Sequence, residues 1–360
     1  MKCLPASKLQ QANGVALHDW HAEVLTIRAF NRFLLDECRR LAQDSTAQSD
    51  FLRRRTREEL SSNNSTSWHA QPFDWNENLT LHMYCSEAPC GDASMELIIT
   101  DDTTTTTAAA NLNPHQPHLQ RRHNPELLGR GYFSHSASDK LTLKQCTSLL
   151  SSLTSLFVAP ERVYLTSVVL PESQYSEVGC RRCFSAGNHL PGSKRNEEQM
   201  MVAELDGRMA PVKEGCGGTG YAFRPFRVDT TKREFEFSRR GIQGGEGESD
   251  NVKVIASNLA LAWTNDGEVE EGLIGGVMQG RKAFDVKGAS LTSRRKMWAA
   301  AVEVAAALRN EEISKELANG FYDGVKEGIL LEGRRSVKEE VRQGALKGWL
   351  RITGDGSFSL

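Results

Sequence analysis

The stretch Leu17-His18-Asp19-Trp20-His21-Ala22-Glu23-Val24, read with Ala88-Pro89-Cys90-Gly91-Asp92 downstream, decides the fold. After it, Val24, Ile27, Phe30, Phe33, Leu34 and Cys38 recur at near-helical spacing, with Arg28, Arg32, Arg39 and Arg40 on the other faces. This predicts one helix over 18–42, starting near Asp19, with His21 and Glu23 in its first turn. The second stretch follows Leu79 to Ser86, where Leu79, Leu81, Met83 and Cys85 alternate with polar residues, the pattern of a half-buried strand. Pro89 suits a first helical turn, so a short helix is expected there with Cys90 in its first turn.

Further strands are expected over Val163 to Leu170, within Val252 to Trp263 and over Val269 to Val277. Leu141, Leu143, Cys146, Leu149, Leu150, Leu153 and Phe157 predict a strong amphipathic helix. Three helices near 291–308, 311–327 and 334–348 close the chain. Strands mixed with helices throughout argue for an α/β layered domain. Residues 44–78, with the polar run Ser61 to Thr66, and 101–128, with Thr103 to Thr107, read as flexible insertions in a single domain spanning 1–360. Residues 240–250 read as a Gly-rich loop.

The 360 residues carry 44 Lys+Arg against 46 Asp+Glu, a formal charge of −2, so bulk charge does not hold nucleic acid and RNA contacts must come from local patches. Arg53-Arg54-Arg55, Arg121-Arg122, Arg181-Arg182, Arg239-Arg240 and Arg294-Arg295-Lys296 are the candidates, each more often a solvated face than a phosphate site. Nothing points to DNA as a partner, and no oligomeric state is specified. No apolar run is long enough to span a membrane. The eight cysteines, irregularly spaced and without a signal sequence, predict reduced thiols inside the cell, in the nucleus or cytoplasm.

The chemistry lies in His21-x-Glu23 and Pro89-Cys90. A helix start favours negative charge, which suits a zinc thiolate. Two helix starts facing each other would supply His21 and Cys90 to one Zn²⁺, with Glu23 directed at the open metal position as proton shuttle. That is the layout of a zinc nucleobase deaminase. A cytidine-type pattern is disfavoured, because Ala93 stands where Pro-Cys-x-x-Cys needs its second cysteine.

These blocks, with Lys2-Cys3-Leu4-Pro5, Ser138-Asp139-Lys140-Leu141, Leu170 to Tyr175, Ile274-Gly275-Gly276-Val277, Gln279 to Lys282 and Leu346-Lys347-Gly348-Trp349, run in order over nearly the whole chain. In them the chain resembles the adenosine deaminases acting on RNA, most closely the fungal type that edits tRNA. The resemblance implies a cytidine-deaminase-like three-layer α/β fold with a mixed sheet and additional C-terminal helices. It implies conversion of adenosine to inosine just 3′ of the anticodon of a eukaryotic alanine tRNA, whose anticodon loop is the partner. It also implies buried inositol hexakisphosphate, at Lys2, Arg28, Lys140, Tyr322, Lys326 and Trp349, with Arg294 and Lys338 as further positions.

The chain departs from the family at one point that matters. The family's third zinc ligand is a cysteine directly before Ser-Asp-Lys, and Ala137 stands there. The family also has a longer basic segment before that cysteine, and further residues, including a strand, before the block that begins here at Lys2. Three readings stay open for the missing ligand: replacement by His135 or Cys146, a coding sequence from which a segment is missing, or an inactive relative. Cys180-x-x-Cys183 lacks a partner pair and is read as buried thiols in a turn, and Glu214 to Gly218 as a plain loop.

Overall fold

A computed structural model describes residues 3–61, 68–97, 136–187, 207–212, 219–243, 257–347 and 354–360. The expected insertion at 101–128, most of the Gly-rich loop, and Lys2, His135 and Trp349 lie outside the described residues.

Helix α1 (Ala22–Gln43) is the long helix expected, starting three residues later than the sequence suggested. Leu25, Ile27, Leu34, Leu35, Cys38 and Leu41 turn into the core. The Asp19 carboxylate accepts the His21 N–H at 2.8 Å, which fixes the chain before the first turn. His21 is therefore the N-cap and not a first-turn residue.

The segment 44–78 is not simply a loop. It carries β1 (Leu52–Arg54), α2 (Arg57–Ser61) and β2 (Phe73–Trp75), with β1 antiparallel to β2. Leu52, Phe73 and Trp75 join the main core. Their apolar residues are too few and too widely spaced to show periodicity, so a strand pair inside polar surroundings was invisible to pattern reading.

Strand β3 (Leu81–Tyr84) runs parallel to β4 (Leu165–Pro171), and β4 parallel to β5 (Arg227–Thr231). Helix α3 (Ala137–Thr147) replaces the amphipathic helix expected through Phe157. It is buried nearly all round and stops where Ser148 takes φ +55°. Leu149 then bonds backbone to backbone with Val163, and a 3-10 turn covers Thr154–Leu156. Helix α4 (Glu177–Phe184) holds Cys180 and Cys183, both fully buried, in a helix rather than the turn expected.

After α5 (Arg239–Gln243), an antiparallel sheet forms from β6 (Leu259–Trp263), β7 (Glu270–Ile274) and β8 (Val277–Met278). The run 269–277 is thus not one strand. Gly275 and Gly276, at φ +62° and +83°, make the two-residue hairpin turn that side-chain-bearing residues resist. The closing helices are α6 (Arg294–Leu308), α7 (Glu311–Leu317), α8 (Tyr322–Glu327) and α9 (Glu332–Gln343). The expected helix over 311–327 is broken between α7 and α8, where Gly320 removes helix propensity.

The fold is α/β, and parallel and antiparallel pairings occupy separate sheets among the described residues. Helix α1 packs on α6 and on the β6 hairpin. No described helix is long and apolar enough to cross a membrane.

Candidate active site

The site is assembled from three segments: the residues entering α1, the loop after β3, and the start of α3. The first is held by backbone pairing of Cys3 with Asp19, and by the Leu4 N–H donating to His18 at 2.9 Å. The Gly276 turn closes over it, its carbonyl accepting the Leu17 N–H at 2.8 Å. A side chain at Gly276 would strike the Leu17 carbonyl and the Trp20 ring.

Asp19 is the hub of this segment. Its Oδ1 lies 2.8 Å from His21 Nδ1, and its Oδ2 accepts from the Lys140 ammonium. Burial works against the Asp19 carboxylate, but the hydrogen bond to His21 and the Lys140 charge override it and hold the group at about 2. The same Asp19 bond, aided by Cys3 at 3.7 Å, pushes His21 up to about 10. Glu23, half-buried in the first turn of α1, has its carboxyl raised by burial. His21, Asp19 and Lys140 all act on it electrostatically.

Cys90 sits one residue before Gly91, whose φ of +108° turns the loop; a 3-10 turn begins only at Asp92. Cys90 is therefore not in a first helical turn, and its thiol is not lowered as a helix start would lower it. Burial pushes it up, and the Glu23 and Asp19 charges add to that. The Lys140–Asp19 ion pair ties α3 to the entrance of α1, and α3 in turn begins against Cys90.

Ala137, the first residue of α3, donates its N–H to the Cys90 sulfur at 3.3 Å and is 1% exposed. The two loops are stitched further: Ser138 N–H donates to the Cys90 carbonyl at 3.1 Å, and its hydroxyl donates to the Pro89 carbonyl at 3.0 Å. Position 137 thus abuts Cys90, but alanine brings no donor atom. Cys146 does not replace it, being fully buried in an apolar cluster with Leu143, Met209 and Val341. Imidazole, thiol and carboxylate are the donors zinc takes; His21 and Cys90 are the candidates expected, but among the described residues no group of three donors within 4.8 Å of one another includes Cys90. A Cys3, Asp19 and His21 trio, with donor atoms within 4.8 Å of one another, has the same chemistry.

The structure places the expected anion-binding residues unequally. Lys140 is engaged with Asp19, while Arg28, Tyr322 and Lys326 belong to a separate cationic cluster with Lys144, Arg294, Arg334 and Lys338. Arg294 and Lys326 lie 5.9 and 5.7 Å from the Tyr322 ring centre. Burial and mutual repulsion push Lys326 down to about 7, and Lys144 and Lys338 well below their usual range. Nε of Arg28 and of Arg334 is buried without a hydrogen-bond partner. A polyanion fits this donor set, since buried like charges need a counter-charge. Sequence reading missed Lys144 and Arg334 here, because a basic residue that faces the interior cannot be told by pattern from one on a charged surface, and Arg334 stands in a highly charged helix beside Arg335. It also passed over Asp19, although an acid two residues before a candidate ligand histidine is a usable signal.

Several basic runs offered for RNA are spent inside the fold. Arg53 pairs with Glu59 and Asp74, Arg54 and Arg55 bond to backbone carbonyls, Arg182 pairs with Glu96, and Arg240 with Glu87 and Glu234.

The adenosine-deaminase (editase) domain family matches residues 1–352. The chain belongs to this family. It is similar to tRNA-specific adenosine deaminase 1 of Schizosaccharomyces pombe, 30% identical over 371 residues, covering 99% of this chain and 81% of that protein. It is also similar to tRNA-specific adenosine deaminase 1 of Saccharomyces cerevisiae, 30% identical over 192 residues, 48% of this chain and 44% of that protein. Family membership makes the chain a hydrolase of the adenosine-deaminase type.

Proposed function

We propose that the chain is a zinc-dependent, tRNA-specific adenosine deaminase that converts adenosine to inosine at position 37, 3′ of the anticodon in a eukaryotic alanine tRNA. The observation that carries this reading is the Asp19–His21 pair at the entrance to α1, joined through Lys140 to α3, whose first residue touches the Cys90 sulfur, in a chain similar over almost its whole length to a tRNA-specific relative.

His21 and Cys90 would hold the zinc, which when bound supplies the Lewis acidity that makes a water reactive at neutral pH. Asp19 holds the His21 ring through Nδ1 and so leaves Nε2 for ligation. Lys140 keeps Asp19 ionised for that task. Glu23 takes the proton of the attacking water and passes it to the purine ring nitrogen; ammonia leaves, and inosine remains. Burial raises its carboxyl, which brings a proton carrier closer to the pH at which it must both accept and give. The anticodon loop offers unstacked bases, so one adenine enters a pocket at modest cost. Inositol hexakisphosphate is the proposed counter-ion of the cationic cluster around Lys326, Lys144 and Arg334. The free thiols of the described cysteines suit the nucleus or cytoplasm as its location.

A second reading, a catalytically silent member that keeps tRNA binding, is favoured by one observation: Ala137 presents no donor atom beside Cys90. Incubation of the zinc-loaded protein with alanine tRNA, followed by nucleoside mass spectrometry, separates the two. Inosine at position 37 that disappears in Glu23→Gln supports the enzyme. Bound tRNA without inosine supports the silent form.

A further inference from the structure

Asp92 follows Cys90 by two residues, and Asp139 follows Ala137 by two. Arg208, from a short segment remote from both in sequence, reaches each of them. Its Nη2 donates to Asp139 Oδ1, its Nη1 lies 3.5 Å from Asp92 Oδ2, and its Nε donates to the Ala345 carbonyl at 3.2 Å. The Arg208 side chain is 13% exposed and the Asp139 side chain 5%. We infer that Arg208 is a positioning residue, a clasp that holds the Cys90 loop against the start of α3 so that the Cys90 sulfur faces position 137. The inference rests on the proposed reading that Cys90 serves the metal.

The physical need for a clasp is local. Cys90 stands outside regular secondary structure, and the following Gly91 has a backbone conformation that side-chain-bearing residues rarely adopt. A Cβ on Gly91 would approach the Ser136 hydroxyl to 2.5 Å, so the two loops touch with no slack. The stitches at Ser138 fix their separation. Arg208 ties the carboxylates just beyond the touching residues, so the loops cannot pivot about that contact. A guanidinium presents several N–H groups in a rigid fork and can serve two carboxylates and a carbonyl together, whereas a lysine ammonium is a single point charge. Arg182 braces the Cys90 loop from the other side, its Nη2 donating to the Asp92 carbonyl at 2.8 Å.

The test compares Arg208→Lys and Asp92→Asn with Arg32→Ala, which breaks a buried ion pair to Asp36 farther along α1. Asp92→Asn keeps the side chain's shape and guards against simple misfolding. Cys90 alkylation by a maleimide is followed by peptide mass spectrometry on metal-free protein, beside zinc affinity and steady-state kinetics on tRNA. In Arg208→Lys and Asp92→Asn, Cys90 alkylation rises severalfold, zinc affinity falls about 10–100-fold, and kcat falls while KM holds. In Arg32→Ala, thermal stability drops and Cys90 alkylation does not change. Unchanged alkylation in both clasp variants, or an equal rise in Arg32→Ala, overturns the inference. If the unaltered chain binds no zinc and forms no inosine, the functional reading fails, while the alkylation rates still decide the clasp.

Discussion

Replacing Ala137 with cysteine should turn a two-ligand site into a three-ligand one. The position is the first residue of α3, 1% exposed, with its N–H 3.3 Å from the Cys90 sulfur. A thiol there gains the favourable field of a helix start. Adding a sulfur to a packed site costs about 1–3 kcal/mol. Structural zinc sites with four ligands contribute about 10–16 kcal/mol, so one added thiolate is worth roughly 3–4 kcal/mol. At mid-range the packing cost leaves about 1.5 kcal/mol, so zinc affinity should rise about tenfold, and about a hundredfold where packing takes least. Competition against a chromophoric chelator measures this, and a Co²⁺ derivative shows a stronger thiolate charge-transfer band. An Ala137→Cys protein that folds normally yet binds zinc no more tightly would refute the placement of position 137 at the metal.

Glu23→Gln should lower deamination by about 10²–10⁴-fold without loss of thermal stability, because burial already favours the neutral side chain there; single-turnover kinetics and a melting curve check both halves. Asp19→Asn removes the charge that orients His21 and pairs with Lys140, and should weaken zinc binding by about 10–100-fold, read by chelator competition. Lys326, pushed down to about 7 by burial, makes stability depend on pH in a defined direction. Below its folded pKa it is charged in both states and the burial penalty is carried in full. Above that, up to the unfolded value of about 10.5, the unfolded chain binds more protons and stability rises with pH. Melting temperature of the anion-free protein should therefore climb between these limits, and added inositol hexakisphosphate should raise it most at the acid end and flatten the slope.

What was legible in the sequence was whatever repeats or punctuates. Helix α1 and the strands β3, β4 and β6 followed from spacing alone; of the residues expected in first helical turns only Glu23 lies in one, His21 being the N-cap and Cys90 standing in the loop that Gly91 turns. Elements set by tertiary contact were not legible: β1 and β2 carry only a few apolar residues, and α3 ends where Ser148 adopts a left-handed backbone, which nothing local demands. The Gly275-Gly276 hairpin was in plain view, but was read as strand interior because the apolar run continues through it. In the site, residue types nominated His21, Cys90 and Glu23 as candidates for ligation and proton transfer. Arg208 and the cationic cluster emerge only when segments far apart in sequence are folded together.

The central claim is that one metal ion sits between the entrance to α1 and the loop after β3. X-ray absorption at the zinc edge of the purified protein reads that claim directly. It should show one zinc with a sulfur neighbour at about 2.3 Å and nitrogen or oxygen neighbours at about 2.0–2.1 Å, the sulfur shell vanishing in Cys90→Ser. A protein that holds no zinc, or a sulfur shell that survives Cys90→Ser intact, would contradict it.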